Sequence, residues 1–223
     1  MTIAQAMLWT LTYLGVLVIA TTLDLVFWRS RSGDLGPWMN LFTLTGLSVV
    51  FFVYMSNTTG IRPEFELSSF QELLLALITP GVLYILLDKI LDPLLEKRFP
   101  GSEDAYQKGL ASLKKSPLVG LIHIGLIAPI VEELLMRGLI LNGLTDMHGV
   151  YLALLVSSVL FALLHFNKVQ TVSGFVAGVV LGTLYLYTGS IVVSIIAHSL
   201  YNLLSYIRST PSTSLKTSRK DAS

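Results

Sequence analysis

Glu132, Glu133 and Arg137 interrupt one long apolar run of the sequence, His165 ends a second, and His198 interrupts a third with Asn202 four residues beyond it. A carboxylate, two imidazoles and an amide meet the needs of water-mediated hydrolysis: a base, a second proton handler and donors for a developing oxyanion. Helical spacing divides the roles. Glu133 and Arg137 are four residues apart and pair on one face, whereas Glu132 sits about 100° round the helix from Glu133 and about 140° from Arg137. The arginine therefore compensates Glu133 best, and Glu132 is left pointing elsewhere with less neutralisation. His198 and Asn202 share a face in the same way, as do Phe161 and His165.

Each of these groups also has a structural reading. Glu133 with Arg137 can serve as an ion pair that pins helices, His165 as a satisfied interior histidine, and His198 with Asn202 as an interhelical hydrogen-bonded pair. Phe161 reads as packing beneath His165. His123, nine residues before Glu132 and on the opposite helix face, reads as structural. Asp24 and the adjacent Asp88 and Lys89 lie near span ends and read as snorkelling or structural.

The elements that must hold these groups are set by composition. Only 13% of the 223 residues are charged and 53% are hydrophobic, against roughly 25% charged in a soluble domain. A run of about 20 apolar residues crosses a bilayer as a helix, because lipid offers the backbone no hydrogen-bond partner. The short alternating segments of a transmembrane β-barrel do not occur here. The sequence predicts an all-α fold, a polytopic transmembrane bundle of about seven spans, over residues 3–28, 38–55, 73–91, 117–144, 150–166, 169–187 and 191–207. The third ends at Asp92-Pro93. Three N-terminal spans thus fill 1–92, a cytoplasmic loop with a short surface helix fills 93–116, a four-helix core fills 117–207, and a disordered tail follows over 208–223. The first span lacks a basic leader and exceeds the ~7–15 apolar residues of a signal peptide, so it reads as retained. With no cysteines and a formal net charge of +1, disulfides, thiolate metal sites and a nucleic-acid partner are not expected.

Ionisable groups are rare within spans because each costs at least ~2.5–3.5 kcal/mol at the bilayer centre. Counted at ~1.5 Å per residue from the outer span ends, Glu132 lies ~18 Å deep, His165 ~25 Å and His198 ~12 Å, all in the middle region of a hydrocarbon core ~30 Å thick. Gly174, Gly178 and Gly182 repeat every four residues in the sixth span, a pattern that lets neighbouring helices approach and packs the two histidine-bearing spans together.

Three short patterns now stand in order: Glu132-Glu133-Leu134-Leu135-Met136-Arg137, Phe161-Ala162-Leu163-Leu164-His165 and His198-Ser199-Leu200-Tyr201-Asn202. They resemble the Glu-Glu-x-x-x-Arg, Phe-x-x-x-His and His-x-x-x-Asn/Asp motifs of the CAAX-protease and bacteriocin-processing family of intramembrane endopeptidases, also called the Abi family, of Rce1-like type. Ala128-Pro129 and Gly138 fit the surroundings of the first motif, and Met136 departs from the aromatic residue often found before the arginine. The resemblance covers about residues 117–207. It implies a glutamate-dependent hydrolase in which Glu132 and His165 activate water, His198 and Asn202 form the oxyanion site, and Glu133 and Arg137 support them. One glutamate and two histidines are also a donor set for zinc with an open position. No His-Glu-x-x-His pair stands on one helix, however, so no cofactor is expected.

Two other functions would use the same groups. An ion-coupled transporter would employ them as a relay, but the sequence has no inverted repeat and no paired, Gly/Pro-interrupted helices. A non-catalytic immunity or scaffold protein would keep the fold, although it would have no need to retain every catalytic position. The expected partners are the lipid bilayer and a peptide or protein substrate at or in the membrane.

The expected localisation is multi-pass in the plasma membrane. With the N-terminus outside, twelve of the fifteen basic residues fall on the cytoplasmic side (Arg29, Arg31, Lys97, Arg98, Lys108, Lys114, Lys115, Lys168, Arg208, Lys216, Arg219 and Lys220), while Arg62 lies outside. A reporter fused after Ser223 should accordingly be cytoplasmic and one at the N-terminus external; finding both on one side would mean an odd error in the span count.

Overall fold

In the computed structural model, residues 1–29, 35–63, 65–67, 69–102, 104, 107–108 and 116–209 are described. Among them there are seven helices and no strand: α1 (Ile3–Trp28), α2 (Gly36–Thr59), α3 (Phe70–Arg98), α4 (Pro117–His148), α5 (Val150–Leu163), α6 (Lys168–Thr188) and α7 (Ile191–Ser209). Six are long and apolar enough to cross a membrane, and the exception is α5. The expected tail after residue 209 and most of the expected surface helix in the 93–116 loop lie outside the described residues.

Local chemistry sets the helix ends. Thr2 and Gln5 form a reciprocal capping box at the start of α1. Ser69 caps α3 by accepting from the Glu72 amide, and Asn167 caps α6 by accepting from the amides of Val169 and Gln170. Both α2 and α6 end on a glycine at positive φ, Gly60 and Gly189, a conformation that L side chains resist. Along the helices, the hydroxyls of Thr10, Thr12, Thr21, Thr22, Thr45 and Thr79 donate to the carbonyl four residues earlier. These threonines of α1, α2 and α3 are thus satisfied within their own helices where lipid cannot serve, whereas the buried hydroxyls of Ser158 and Ser199 have no hydrogen-bond partner among the described residues. Leu8, Leu11, Val18, Val50, Val53, Leu77 and Ile78 point outward and exposed, an apolar surface suited to acyl chains.

Several span limits differ by a few residues from those expected, α2 running on to Thr59 and α4 to His148, and two of the differences have a clear local cause. Helix α3 continues through Asp92-Pro93 to Arg98. A widened turn, Ile85–Leu91, precedes Pro93, whose missing N–H and bulky ring are thereby accommodated inside the helix. Helix α5 stops at Leu163 rather than at residue 166. Its last turn tightens as the amides of Leu164 and His165 donate to the carbonyls of Phe161 and Ala162, and the Asn167 cap then starts α6.

Helix α4 sits between α5 and α7 and also touches α6, while α3 packs along α7 and reaches α6. The Ser173 hydroxyl on α6 donates to the Asp92 carboxylate on α3. Helices α1 and α2 form a flanking pair, joined by a hydrogen bond between the Tyr13 and Ser48 hydroxyls at 3.2 Å and by Trp9 edge-on to Phe51. The tightest seam is α5 on α6. A Cβ built on Gly178 would lie 3.0 Å from both Cα and Cβ of Ser158, and one on Gly174 would lie 3.2 Å from Nδ1 of His165. The glycine repeat is therefore a close-packing stripe, directed at α5.

Gly178→Ala should lower thermal stability in detergent by about 1–3 kcal/mol, since its neighbour is backbone that cannot give way. Gly46→Ala, with nothing within 4 Å of the added carbon, should be neutral or mildly stabilising. Equal melting of the two variants would mean that α5 and α6 are not in this contact.

Candidate active site

The site is built outward from α4. Its middle is one regular helical stretch, Ala128–Glu133, flanked by widened turns at His123–Ile127 and Leu134–Leu141. Such turns shift side chains off the regular helical register and recur at functional sites. Glu133 and Arg137 are both fully enclosed, and Arg137 Nη1 donates to Glu133 Oε1 at 2.8 Å, the pairing that their spacing predicts. The other guanidinium nitrogen, Nη2, donates to the Gly178 carbonyl of α6 at 3.0 Å, and the guanidinium carbon lies 4.8 Å from the Phe161 ring centroid. A buried cation is thus met by a carboxylate, a carbonyl and an aromatic face.

His198 on α7 reaches the same carboxylate. Its Nδ1 lies 2.8 Å from Glu133 Oε1, and its Nε2 lies 3.7 Å from Glu132 Oε2. Because Glu133 is ionised against Arg137, its oxygen can only accept, so Nδ1 carries the proton. The opposite nitrogen is thereby turned toward Glu132, at ion-pair rather than hydrogen-bond distance. The two glutamates have different surroundings: the side chain of Glu133 has no exposure, whereas that of Glu132 is 23% exposed. Only the first carboxylate of the pair has side-chain surface that the protein leaves uncovered.

His165 sits just beyond the end of α5. Its Nδ1 is 3.2 Å from the Phe161 carbonyl, whose usual helical donor, the His165 amide, has turned to Ala162 instead. That carbonyl can only accept, so Nδ1 again holds the proton and Nε2 is free of it. Asn202 donates to the carbonyl of Ile124, in the first widened turn of α4, at 3.2 Å. The structure therefore brings Glu132, Glu133, Arg137 and His198 into direct contact. His165 joins them through Phe161, and Asn202 joins through the α4 backbone. No hydrogen bond or ion pair links His165 to Glu132, or Asn202 to His198, among the described residues. Nor do three or more His, Asp or Glu side chains gather there as a metal-binding group.

Three contributors do more than the sequence analysis assigns them. Phe161 reads as packing, yet its ring touches Arg137, His165 and His198. Gly178 reads as a spacer, yet it also supplies a carbonyl to Arg137. Tyr13 belongs to a helix without any recognisable motif, yet it lies buried within electrostatic range of Glu132. Only the i–4 position of Phe161 before His165 could have pointed to any of the three.

No curated protein and no solved structure matches the chain. Residues 114–204, which hold both glutamates, Arg137, both histidines and Asn202, match the family model described as Type II CAAX prenyl endopeptidase Rce1-like, the family that the three motifs resemble.

Proposed function

We infer that the protein is an intramembrane endopeptidase that cleaves a membrane-associated peptide, of prenylated or leader type, with water activated at Glu132. The observation that carries this reading is the division of the glutamate pair: Glu133 is enclosed and paired with Arg137, while Glu132 keeps uncovered surface and faces His198. A general base has to reach both its water and the substrate, which Glu133 cannot do.

In the reaction, Glu132 takes a proton from water as the oxygen attacks the scissile carbonyl. The proton then passes to the leaving amine as the C–N bond breaks, which returns the carboxylate to its starting state. His165, with Nδ1 tied to the Phe161 carbonyl, offers Nε2 as a second acceptor for the water. The oxyanion of the tetrahedral intermediate needs donors aimed at it. His198 supplies one from Nε2 when that nitrogen carries a proton, its Nδ1 being held by Glu133. Asn202 supplies the other from its second amide hydrogen, the first being held by Ile124. No step calls for a metal. The chain works in the plasma membrane with its N-terminus outside and its C-terminus cytoplasmic, as the basic residues favour.

Glu132→Gln should cut turnover of a verified peptide substrate at least ~10²-fold, the lower scale for losing a general base. Its melting temperature in detergent should stay near that of wild type, because no charge is stranded. Chelation followed by dialysis should leave wild-type turnover intact; loss with recovery on zinc would make Glu132, His165 and His198 metal ligands instead.

Glu133→Gln should fail differently. It removes the acceptor shared by Arg137 and His198, and breaking a buried pair from one side costs about 3–5 kcal/mol, so yield and melting temperature should fall along with activity. A stable, inactive Glu133→Gln beside a fully active Glu132→Gln would assign the base to the other carboxylate.

A further inference from the structure

The hydrogen bonds of the site leave one thing unfixed. Each imidazole is held by a single protein hydrogen bond, His165 to the Phe161 carbonyl and His198 to Glu133. That bond orients each ring through Nδ1, but no hydrogen bond holds the opposite nitrogen among the described residues, so how firmly the ring keeps that direction depends on what packs against it. The Phe161 ring meets both imidazoles nearly at right angles: centroids 5.3 Å away at 77° for His165 and 5.7 Å away at 81° for His198. It also lies under Arg137, whose guanidinium carbon is 4.8 Å from the centroid. Phe161 is among the most enclosed large side chains in the protein, so the ring cannot turn away from any of the three.

We propose that Phe161 is a positioning residue of the site: its electron-rich face fixes Arg137, and through Arg137 and Glu133 it fixes His198, while its perpendicular contacts set the planes of both imidazoles. A phenyl ring suits this use. It carries a negative face for a desolvated cation and a positive edge for aromatic neighbours, with no polar atom to bury. An aliphatic side chain of similar volume would fill the space and hold none of these directions. The role rests on the hydrolytic reading of the site, whereas the Arg137 contact stands independently of it.

The test replaces Phe161 in the full chain by 4-fluoro-, 3,5-difluoro- and 3,4,5-trifluorophenylalanine, which keep the shape of the ring while draining its face, and by leucine. Melting temperature in detergent, turnover of a quenched-fluorescent prenylated peptide, and 15N-histidine spectra are read for each. The melting temperature should fall stepwise with fluorine number. kcat should fall in parallel, by up to about 30-fold at the trifluoro ring, the scale of a desolvated cation–π contact, with KM unchanged. The Nδ1–H signals of His165 and His198 should broaden in the leucine variant. A flat melting temperature and kcat across the series, or leucine matching wild type, would reduce Phe161 to filler and overturn the proposal. So would a stepwise loss of stability with kcat unchanged, since the ring would then hold the fold but not the histidines. If wild type itself cleaves no peptide, the protease reading fails, and the melting series with the histidine spectra still decides what the ring does.

Discussion

A guanidinium and a carboxylate sealed inside a membrane helix are the constraint around which this bundle is arranged. Removing two ions from water costs several kcal/mol each, and their attraction offsets that only if the remaining hydrogen-bonding capacity is used. Glu133 and Arg137 are four residues apart on α4, so their mutual bond is local. Their further partners come from other helices, and only Glu133 Oε2 is left buried without a hydrogen-bond partner among the described residues. Arg137 takes a carbonyl from α6 and an aromatic face from α5, and Glu133 takes an imidazole N–H from α7. One ion pair thereby specifies how four helices must sit.

The packing of α6 follows from this. For the Gly178 carbonyl to come within 3.0 Å of Arg137 while the same residue lies against the Ser158 backbone, α6 must nestle between α4 and α5. Any side chain at 178 would hold α5 off, and Phe161 and His165 ride on α5. The glycine stripe therefore acts on the chemistry through distance, without contributing a functional group. The same arrangement explains how two adjacent residues of one type differ so much. Glu133 points into the four-helix junction, and Glu132, about 100° round the helix, points to an edge where its side chain stays partly uncovered.

Much of this was legible in the residues. The helical class followed from apolar run length, the Glu133–Arg137 pair from i,i+4 spacing, and the close seam from the four-residue glycine repeat. What escaped reading were effects that depend on neighbours far along the chain. Pro93 looks like a terminus, but a widened turn just before it lets α3 run on to Arg98. The apolar run through Phe166 looks like span, but the tightened last turn of α5 and the Asn167 cap end the helix at Leu163. Phe161 looks like packing because its use depends on a cation and two rings brought from other turns and other helices. Asn202 looks like a partner of His198, one turn away, but its amide is drawn to the Ile124 carbonyl on α4.

Helix α5 is 14 residues long, a rise of about 21 Å against a hydrocarbon core of about 30 Å. The segment that completes this crossing, from His165 to Asn167, is irregular backbone, with Phe166 almost wholly exposed. Irregular backbone is tolerated at hydrocarbon depth only where protein or water satisfies it. For α5 to cross a bilayer, the lipid beside it would have to thin, or headgroups and water dip inward, to meet the chain. Under the proposed hydrolytic function, a hydrophilic peptide bond and its water would then have the least hydrocarbon to cross beside His165.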